Sequence, residues 1–211
     1  MSEKQFWSEF YSSRSVTEEA SSFAQLITSY IKDKEYNTIL DVGCGNGRDS
    51  RYFAKEGLKV LGIDQAISAV DNNNKIATNG DEYRCGDFTS SDFLLTLGNF
   101  DILYSRFTLH SVAKNDASSF LKCGYDITND KGLLCIEVRS VKSDMFGKGL
   151  PDPNGDKDAW INGHYRRFVR KDELEIELKE LGYEILYIDE KIGWSKYKDD
   201  DPVLIRIIAR K

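Results

Sequence analysis

The chain has 211 residues and a formal net charge of −6, with 35 acidic against 29 basic side chains. This acidic balance, without a long basic stripe, argues against nucleic acid as the main partner. No apolar run approaches the roughly 18 residues of a membrane span, and residues 1–4 lack the apolar region of a signal peptide. We therefore expect a cytoplasmic protein with no membrane insertion.

The length fits one domain over residues 1–211, in which 1–34 form a helical N-terminal extension. The acidic run 152–158 has Lys157 where a calcium loop needs glycine, and 199–201 is expected to be a solvated turn, so we predict no metal site. The cysteines stand apart without a C-x-x-C pair, which fits buried thiols in a reducing compartment. They are Cys44, Cys85, Cys123 and Cys135.

The first predicted element is an apolar strand that runs into three alternating glycines, Gly43, Gly45 and Gly47, and then into a helix. Glycine lets the backbone take positive φ and approach a ligand closely, and the free N–H groups at the helix start attract an anion. The spacing differs from the G-x-G-x-x-G of dinucleotide-binding loops, because an acidic residue, Asp41, stands two positions before the first glycine. The segment is therefore predicted to be a strand, a nucleotide-binding loop and a helix.

The following segments alternate between strand-like and helix-like patterns. Predicted strands cover 58–63, 82–85, 100–104 and 132–138, and predicted helices cover 49–57, 66–77, 116–127 and 171–181. Such alternation indicates a parallel sheet with helices on both faces. The chain then ends in two strand-like runs, 183–189 and 203–209, with no helix between them, so we expect that pair to be antiparallel.

The Asp-x-Gly-x-Gly-x-Gly loop and the final strand pair together resemble class I S-adenosylmethionine (SAM)-dependent methyltransferases. The resemblance implies an α/β, Rossmann-like fold with a mostly parallel seven-stranded sheet, an antiparallel last strand and helices on both faces. It also implies SAM as the cofactor, with Gly43, Gly45 and Gly47 around its methionyl part and Asp41 positioning the loop. NAD is the rival ligand, since an acid after the second strand also binds its ribose, but the loop spacing and the terminal strand pair oppose it.

Three more residues match the family pattern at the cofactor. Asp64 ends the second strand, 17 residues after Gly47, where its carboxylate can accept hydrogen bonds from both ribose hydroxyls. A helix cap is the alternative role for Asp64. Asp87 and Phe88 follow the third strand, where the family places an acid near the adenine amino group and an apolar neighbour beside the ring.

The N-terminal segment is rich in large aromatic side chains that an exposed tail does not favour. In related methyltransferases a segment of this kind forms a lid over SAM, so Tyr11 and Arg14 are candidate contacts of the cofactor or the acceptor. Packing of an amphipathic helix against the core is the competing interpretation.

The residues after predicted strands four and five are cationic, at the edge where open α/β sheets bind ligands. A long connection, 141–165, follows the fifth strand, and such a loop in a compact domain is usually functional or disordered. The side chains expected to bind the acceptor are Arg106, Arg139, Lys148, Tyr165, Arg166 and Arg167. Arginine forks match phosphate and carboxylate oxygens, so an anionic acceptor is favoured, and a solvated surface pair is the alternative for the adjacent arginines.

The two histidines of the chain, His110 and His164, lie in the same two regions. A phosphate or carboxylate acceptor is already ionised at pH 7, so positioning alone could support methyl transfer. A sugar hydroxyl needs a general base, and His110 or His164 is the catalytic candidate, although each could instead be structural. Glu137 is a weaker candidate, because its place inside a strand suggests a pair with Arg139.

Four short runs, 45–50, 105–111, 164–168 and 201–206, also resemble a subgroup of bacterial methyltransferases often associated with surface polysaccharide modification. Through its glycine loop the chain is similar to the tellurite-resistance methyltransferase family as well. We therefore expect methyl transfer from SAM to an oxygen of a small anionic, phosphate-bearing or sugar-derived acceptor, with S-adenosylhomocysteine (SAH) as the other product. A thiol, amine or metalloid acceptor and a catalytically silent SAM-binding module remain open, as do a monomer and a homodimer.

Overall fold

The computed structural model describes residues 19–196 and 200–211, which form two sheets with helices packed around the larger one. The helices are α1 (Ser22–Ile31), α2 (Arg48–Lys55), α3 (Ile67–Ile76), α4 (Ser91–Leu95), α5 (Lys114–Ile127) and α6 (Lys171–Glu180). The large sheet comprises β1 (Thr38–Val42), β2 (Lys59–Asp64), β3 (Asp81–Cys85), β4 (Phe100–Arg106), β5 (Thr128–Arg139), β9 (Glu184–Lys191) and β10 (Leu204–Arg210). The small sheet comprises β6 (Leu150–Pro151), β7 (Ala159–Asn162) and β8 (His164–Arg167).

The large sheet has the strand order β3-β2-β1-β4-β5-β10-β9. Strands β1 to β5 pair in parallel, and β10 runs antiparallel to both β5 and β9. The predicted seven-stranded, mostly parallel sheet with an antiparallel last strand is confirmed. Because β1 to β5 point the same way, their carboxyl ends meet at one side of the sheet, which we call the carboxyl edge.

Two hydrophobic clusters cover the two faces of the large sheet. Successive side chains of a strand point to opposite faces, so Ile39 of β1 packs with Phe23 of α1 and Phe53 of α2. Leu40 belongs to the other cluster, with Phe120 of α5. All five side chains are fully buried, so the central strand is covered on both sides and the carboxyl edge is held at a fixed place above the core.

The connection predicted as a loop over 141–165 instead contains most of the small antiparallel sheet. Its strands are only two to four residues long, and they mix polar with apolar side chains, so they carry little of the periodicity that identifies a strand. Gly163 has φ of 78° between the paired residues Asn162 and His164, where glycine permits the sharp reversal from β7 to β8.

Of the N-terminal extension expected over residues 1–34, the structure describes 19–34. There α1 buries Phe23, Ala24 and Ile27 in the core. The candidate contacts Tyr11 and Arg14 lie outside the described residues. Within the described ranges, no helix combines the length and the apolar character needed to cross a membrane.

Candidate active site

Backbone geometry makes glycine necessary in the loop after β1. Gly43, Gly45 and Gly47 have φ of 68°, 54° and 72°, in the left-handed region that L side chains rarely adopt. The Gly43 N–H donates to the Ile63 carbonyl at 2.8 Å, which joins the loop to β2. A Cβ on Gly43 would lie 2.2 Å from Cγ2 of Thr108, so the loop also packs tightly against the segment after β4.

Asp41 joins the strand before this loop to the helix after it. The Asp41 side chain is buried, and its Oδ2 accepts a 2.5 Å hydrogen bond from the Ser50 hydroxyl. Burial raises the pKa of the Asp41 carboxyl to about 7, the Ser50 hydrogen bond opposes the rise, and the charges of Asp49 and Asp64 add to it. Three buried carboxyl groups therefore lie close together beside the glycine loop.

Asp64 holds two neighbouring backbone segments. Its Oδ2 accepts a hydrogen bond from the Gly45 N–H at 2.9 Å, and its Oδ1 accepts one from the Ala66 N–H at 2.8 Å. Burial raises the pKa of this carboxyl, and the N–H donors oppose the rise. The Asp64 carboxylate thus contacts both the glycine loop and the start of α3. Since each oxygen has two lone pairs, the ribose contact is stereochemically compatible and stays a prediction.

A cavity of about 380 Å³ opens at the carboxyl edge next to these residues. Its walls include Gln65 after β2, Asp87 and Phe88 after β3, and Tyr165 of β8. The Phe88 ring packs edge-on against Phe120, with 5.4 Å between ring centroids. A cavity of this size, with a ring and a carboxylate in its walls, suits a heterocycle that offers N–H donors.

Cationic and imidazole side chains gather at the carboxyl ends of β4 and β5. Nη2 of Arg166 and Nε2 of His164 are 3.0 Å apart. Because a guanidinium has no acceptor atom, the imidazole Nε2 accepts this bond and is unprotonated. Burial, then the charges of Arg166 and Arg139, lower the pKa of His164 to about 4. This imidazole is therefore neutral at pH 7.

His110 completes this group, which we call the arginine–histidine cluster: Arg139, Arg166, His110 and His164. The His110 side chain is 5% exposed, and its Nδ1 has no hydrogen-bond partner among residues 19–196 and 200–211. Burial lowers the pKa of His110 well below its usual range, and the charges of Arg139 and Arg166 contribute further. The cluster therefore combines two positive charges with two neutral rings.

Phe107 stands between the arginines in an unusual backbone conformation. It has φ of 60°, which costs a bulky residue roughly 1–3 kcal/mol. The guanidinium of Arg106 lies 4.4 Å from the ring centroid and that of Arg139 lies 5.8 Å from it. The His110 ring packs edge-on at 5.4 Å. The left-handed turn thus carries the aromatic ring to the boundary of the cluster.

The sequence suggested that Glu137 pairs with Arg139, but in the structure Glu137 has other partners. Its carboxylate lies 2.8 Å from Nε of Arg106 and 2.6 Å from Nε of Arg206. The strand register explains the difference, since Glu137 stands directly opposite Arg106 of β4 and Arg206 of β10. Arg139 instead forms a fork with Asp200, at 3.3 and 2.5 Å.

Comparison with known proteins supports the architecture. A family model of a methyltransferase domain matches residues 40–136. The ubiquinone biosynthesis O-methyltransferase of Azorhizobium caulinodans is 27% identical over 154 residues, which cover 70% of this chain and 58% of that protein. The chain thus spans less than two thirds of the length of this curated relative.

Two solved structures share nearly the whole fold. A SAM-dependent methyltransferase from Methanosarcina mazei has a TM-score of 0.73 at 20% identity, covering 88% of this chain and 96% of the other. One from Anabaena variabilis has a TM-score of 0.73 at 16% identity, covering 98% and 92%. Residues 40–136 of this chain match a methyltransferase domain, and the chain shares the fold of these SAM-dependent methyltransferases. The finer resemblance to polysaccharide-associated and tellurite-resistance members stays a prediction.

The residues around the glycine loop fit SAM, which the matched methyltransferase domain and the fold both indicate. The glycine loop passes so close to its surroundings that a Cβ at Gly47 would lie 2.8 Å from Oδ1 of Asn73. The loop, Asp64 and the cavity all lie at the carboxyl edge, where open α/β sheets bind nucleotides. In the described part of the chain, no group of three or more His, Cys, Asp or Glu side chains could hold a metal ion.

Besides Arg106, which pairs with Glu137, and Arg139, which pairs with Asp200, two more of the predicted acceptor residues have other partners. The Arg167 guanidinium is buried and donates to the carbonyl oxygens of Leu109 at 3.1 Å and Val112 at 3.3 Å, so it anchors the loop after β4. Alternation along β8 explains this, because Arg167 points away from the side on which Arg166 lies. Lys148 is exposed and lies 3.7 Å from Asp144 of its own turn.

Three site residues were missed by sequence reasoning. Asp200 was assigned to a solvated turn, and nothing in an acidic run before proline indicates that one carboxylate reaches Arg139. Nothing in the sequence around Phe107 indicates that its backbone is left-handed. Asp49 lies in the first turn of α2, just after the glycine loop, and that position was the only available signal of its role.

Proposed function

We propose that this protein transfers the methyl group of SAM to an oxygen of a small acceptor that is already an anion, with SAH as the other product. The methyltransferase domain and the fold support the reaction class. The name of the curated relative, an O-methyltransferase, supports oxygen as the accepting atom. The acceptor we favour carries a phosphate or a carboxylate.

The observation that carries this proposal is the geometry of the arginine–histidine cluster, in which Nη2 of Arg166 lies 3.0 Å from Nε2 of His164, a nitrogen that must be unprotonated to accept from it. Both imidazoles have lowered pKa values, about 4 for His164, while the adjacent guanidinium groups keep their charge. A base whose conjugate acid has a pKa near 4 is weak toward a sugar hydroxyl. The cluster is therefore better suited to hold an oxygen that arrives ionised than to remove its proton.

Each cluster residue then has a positioning task. Bound SAM supplies an electrophilic methyl group on its sulfonium. Arg139 and Arg166 orient the acceptor anion by paired N–H donors, which aligns an oxygen for in-line attack. His164 fixes the Arg166 guanidinium through the 3.0 Å contact. Asp200 now occupies the fork of Arg139, so we expect the acceptor anion to share or replace this contact.

A phosphorylated sugar satisfies both the anionic requirement and the expected link to polysaccharide modification. Its phosphate would bind the arginines, and the same class of molecule would arise in surface polysaccharide synthesis. Thiol, amine and metalloid acceptors remain alternatives, and each would leave the arginine pair without an anion unless it carried one.

The test is SAH formation, measured by mass spectrometry, with SAM and a panel of acceptors. The panel pairs each phosphorylated sugar and carboxylate with its neutral counterpart. Arg139→Gln and Arg166→Gln should raise KM for the anionic acceptor by about 10- to 100-fold, the scale of a lost charged hydrogen bond. Arg210→Gln is the matched control. Arg210 lies at the end of β10 that is farther from Arg139, and it pairs with Glu184 at the surface.

Turnover of neutral sugars alone would overturn the anionic acceptor. A protein that binds SAM but forms no SAH with any member of the panel would instead indicate a silent SAM-binding module.

A further inference from the structure

Tyr165 lies in the wall of the cavity that also contains Asp87 and Phe88. We infer that Tyr165 contacts the adenine ring of the cofactor, so that the small sheet β6–β8 takes part in cofactor binding as well as in acceptor binding. This inference rests on the proposed function for its ligand. It differs from the sequence prediction, which assigned Tyr165 to the acceptor.

The cavity is built where a nucleoside would enter the fold. Gln65, Phe88 and Val112 follow β2, β3 and β4, three strands that end at the carboxyl edge. The opposite wall is contributed by Asn154 and Tyr165 of the insertion between β5 and α6. The large sheet therefore forms only one side of the cavity, and the insertion closes the other.

Alternation along β8 separates two sets of side chains. His164 and Arg166 contact each other on one side of the strand. Tyr165 and Arg167 point to the other side, where Tyr165 meets the cavity and Arg167 holds the carbonyl oxygens of the loop after β4. One strand thus presents a ring to the cofactor cavity and a cation to the arginine–histidine cluster.

The position of β8 is fixed by backbone bonds on both flanks. The Arg167 N–H donates to the His110 carbonyl at 2.8 Å, and the Val169 N–H donates to the Arg139 carbonyl at 2.9 Å. These bonds join the end of β8 and the residues just after it to the loop after β4 and to the end of β5. Tyr165 is therefore held at the cavity by the same contacts that place the cluster.

The charged side chains in the cavity wall indicate which kind of ligand it binds. Within the described residues its walls contain the carboxylates Asp87 and Asp116 and no lysine, arginine or histidine. Such a lining disfavours the anionic acceptor and suits a flat, uncharged ring with an exocyclic amine, which donates to carboxylate oxygens. Phe88 and Tyr165 supply two aromatic rings for contact with that heterocycle.

The shared strand also predicts coupling between the two halves of the site. A ligand that orders Tyr165 restrains β8, and His164 and Arg166 are its neighbours in sequence. Loss of the Tyr165 ring should therefore weaken cofactor binding most, and it should also raise KM for the acceptor.

The experiment is calorimetric titration with SAH, which needs no acceptor, on wild type, Tyr165→Ala and Tyr165→Phe. Tyr165→Ala should weaken SAH binding by about 5- to 100-fold, the range for loss of one aromatic ring stacked on a base. Tyr165→Phe keeps the ring and should bind within about twofold of wild type. Tyr187→Ala is the control, because Tyr187 is a partly buried tyrosine of β9, the edge strand far from the cavity.

Adenosine provides a second probe with the same variants, and it should lose affinity by the same factor as SAH. Unchanged SAH and adenosine affinity in Tyr165→Ala, with a raised acceptor KM, would overturn the inference and return Tyr165 to the acceptor. Absence of SAH binding by the wild type would overturn the proposed function itself, and the inference with it. Circular dichroism of each variant confirms that the comparison is between folded proteins.

Discussion

The Asp49 carboxylate accepts hydrogen bonds from both the backbone N–H and the hydroxyl of Ser21, each at 2.7 Å. Asp49 lies in the first turn of α2, directly after the glycine loop, and Ser21 caps α1 by accepting from the Ala24 N–H. The Tyr104 hydroxyl donates to the same carboxylate at 2.9 Å. Helix α1 is therefore tied, through one buried acid, to the first turn of α2 directly after the cofactor loop.

Replacing Asp49 with alanine should destabilise the fold by about 2–4 kcal/mol, because the Ser21 and Tyr104 hydroxyls lose a charged acceptor in a buried place. Urea unfolding monitored by circular dichroism measures this loss. The matched control is Asp71→Ala on the exposed side of α3, which should change stability by less than about 0.5 kcal/mol. An unfolding midpoint of Asp49→Ala equal to that of the control would contradict the role of Asp49.

Gly43→Ala should abolish cofactor binding. The new methyl group would lie 2.2 Å from Cγ2 of Thr108, and alanine is strained at φ of 68°. Either the loop or the segment after β4 must move, and both belong to the site. SAH titration of the folded variant measures the loss.

The double variant Gly43→Ala, Thr108→Ser separates the clash from the backbone strain. Serine lacks Cγ2, and the next atom, Thr108 Cβ, lies at an ordinary 3.5 Å. The double variant should recover part of the SAH affinity. Gly57→Ala, which has φ of 96° and no atom within 4 Å, isolates the cost of strain alone. Equal affinity of the single and double variants would show that the contact with Thr108 is unimportant.

Most of the large sheet could be predicted because most of its strands are apolar runs bounded by turn residues. Leu40 and Ile39, for example, are buried on opposite faces whatever the details of the site. The glycine positions were equally predictable, since the required φ at Gly43, Gly45 and Gly47 excludes most other residues.

Side-chain pairing was harder to predict, because it depends on register between distant strands. Glu137 and Arg139 are close in sequence and share a face, yet Glu137 meets Arg106 and Arg206 across the sheet. The pKa values of the two histidines likewise depend on several surrounding groups at once. Burial, then the charges of Arg166 and Arg139, lower the pKa of His164 to about 4. Arg166 is two residues away in sequence, but neither the burial nor the approach of Arg139 can be read from the residues that flank His164.

Because of the raised pKa of Asp41, the free energy of unfolding should fall as pH rises. The Asp41 carboxyl ionises at about 3.8 in the unfolded chain and at about 7 in the buried site. Between these values the folded state holds a proton that the unfolded state has lost, so the free energy of unfolding decreases with increasing pH. The full loss above pH 7 is about 4 kcal/mol.

Asp41→Asn provides the comparison, because asparagine cannot ionise and its carbonyl oxygen can still accept from the Ser50 hydroxyl. Thermal unfolding at about pH 5 and pH 8 should show that the variant gains stability relative to wild type at the higher pH. A difference between the two proteins that stays constant with pH would contradict a raised pKa of Asp41.

His164 should position Arg166 without titrating in the working range. A pKa of about 4 leaves the imidazole neutral throughout, so the pH profile of kcat/KM for a carboxylate acceptor should show no step between about pH 5.5 and 8 that His164→Gln removes. His164→Ala should lower kcat/KM by about 100-fold, the scale of a misplaced positioning group, while SAH affinity stays unchanged.

His164→Gln should restore part of this activity, since its side-chain carbonyl can accept from the guanidinium of Arg166 as Nε2 of His164 does at 3.0 Å. A rate step near pH 6.5 that disappears in His164→Gln would instead identify His164 as a general base. Equal losses of turnover and SAH affinity in His164→Ala would make the residue structural, because a group that only orients Arg166 has no reason to weaken a cofactor held by the glycine loop and Asp64.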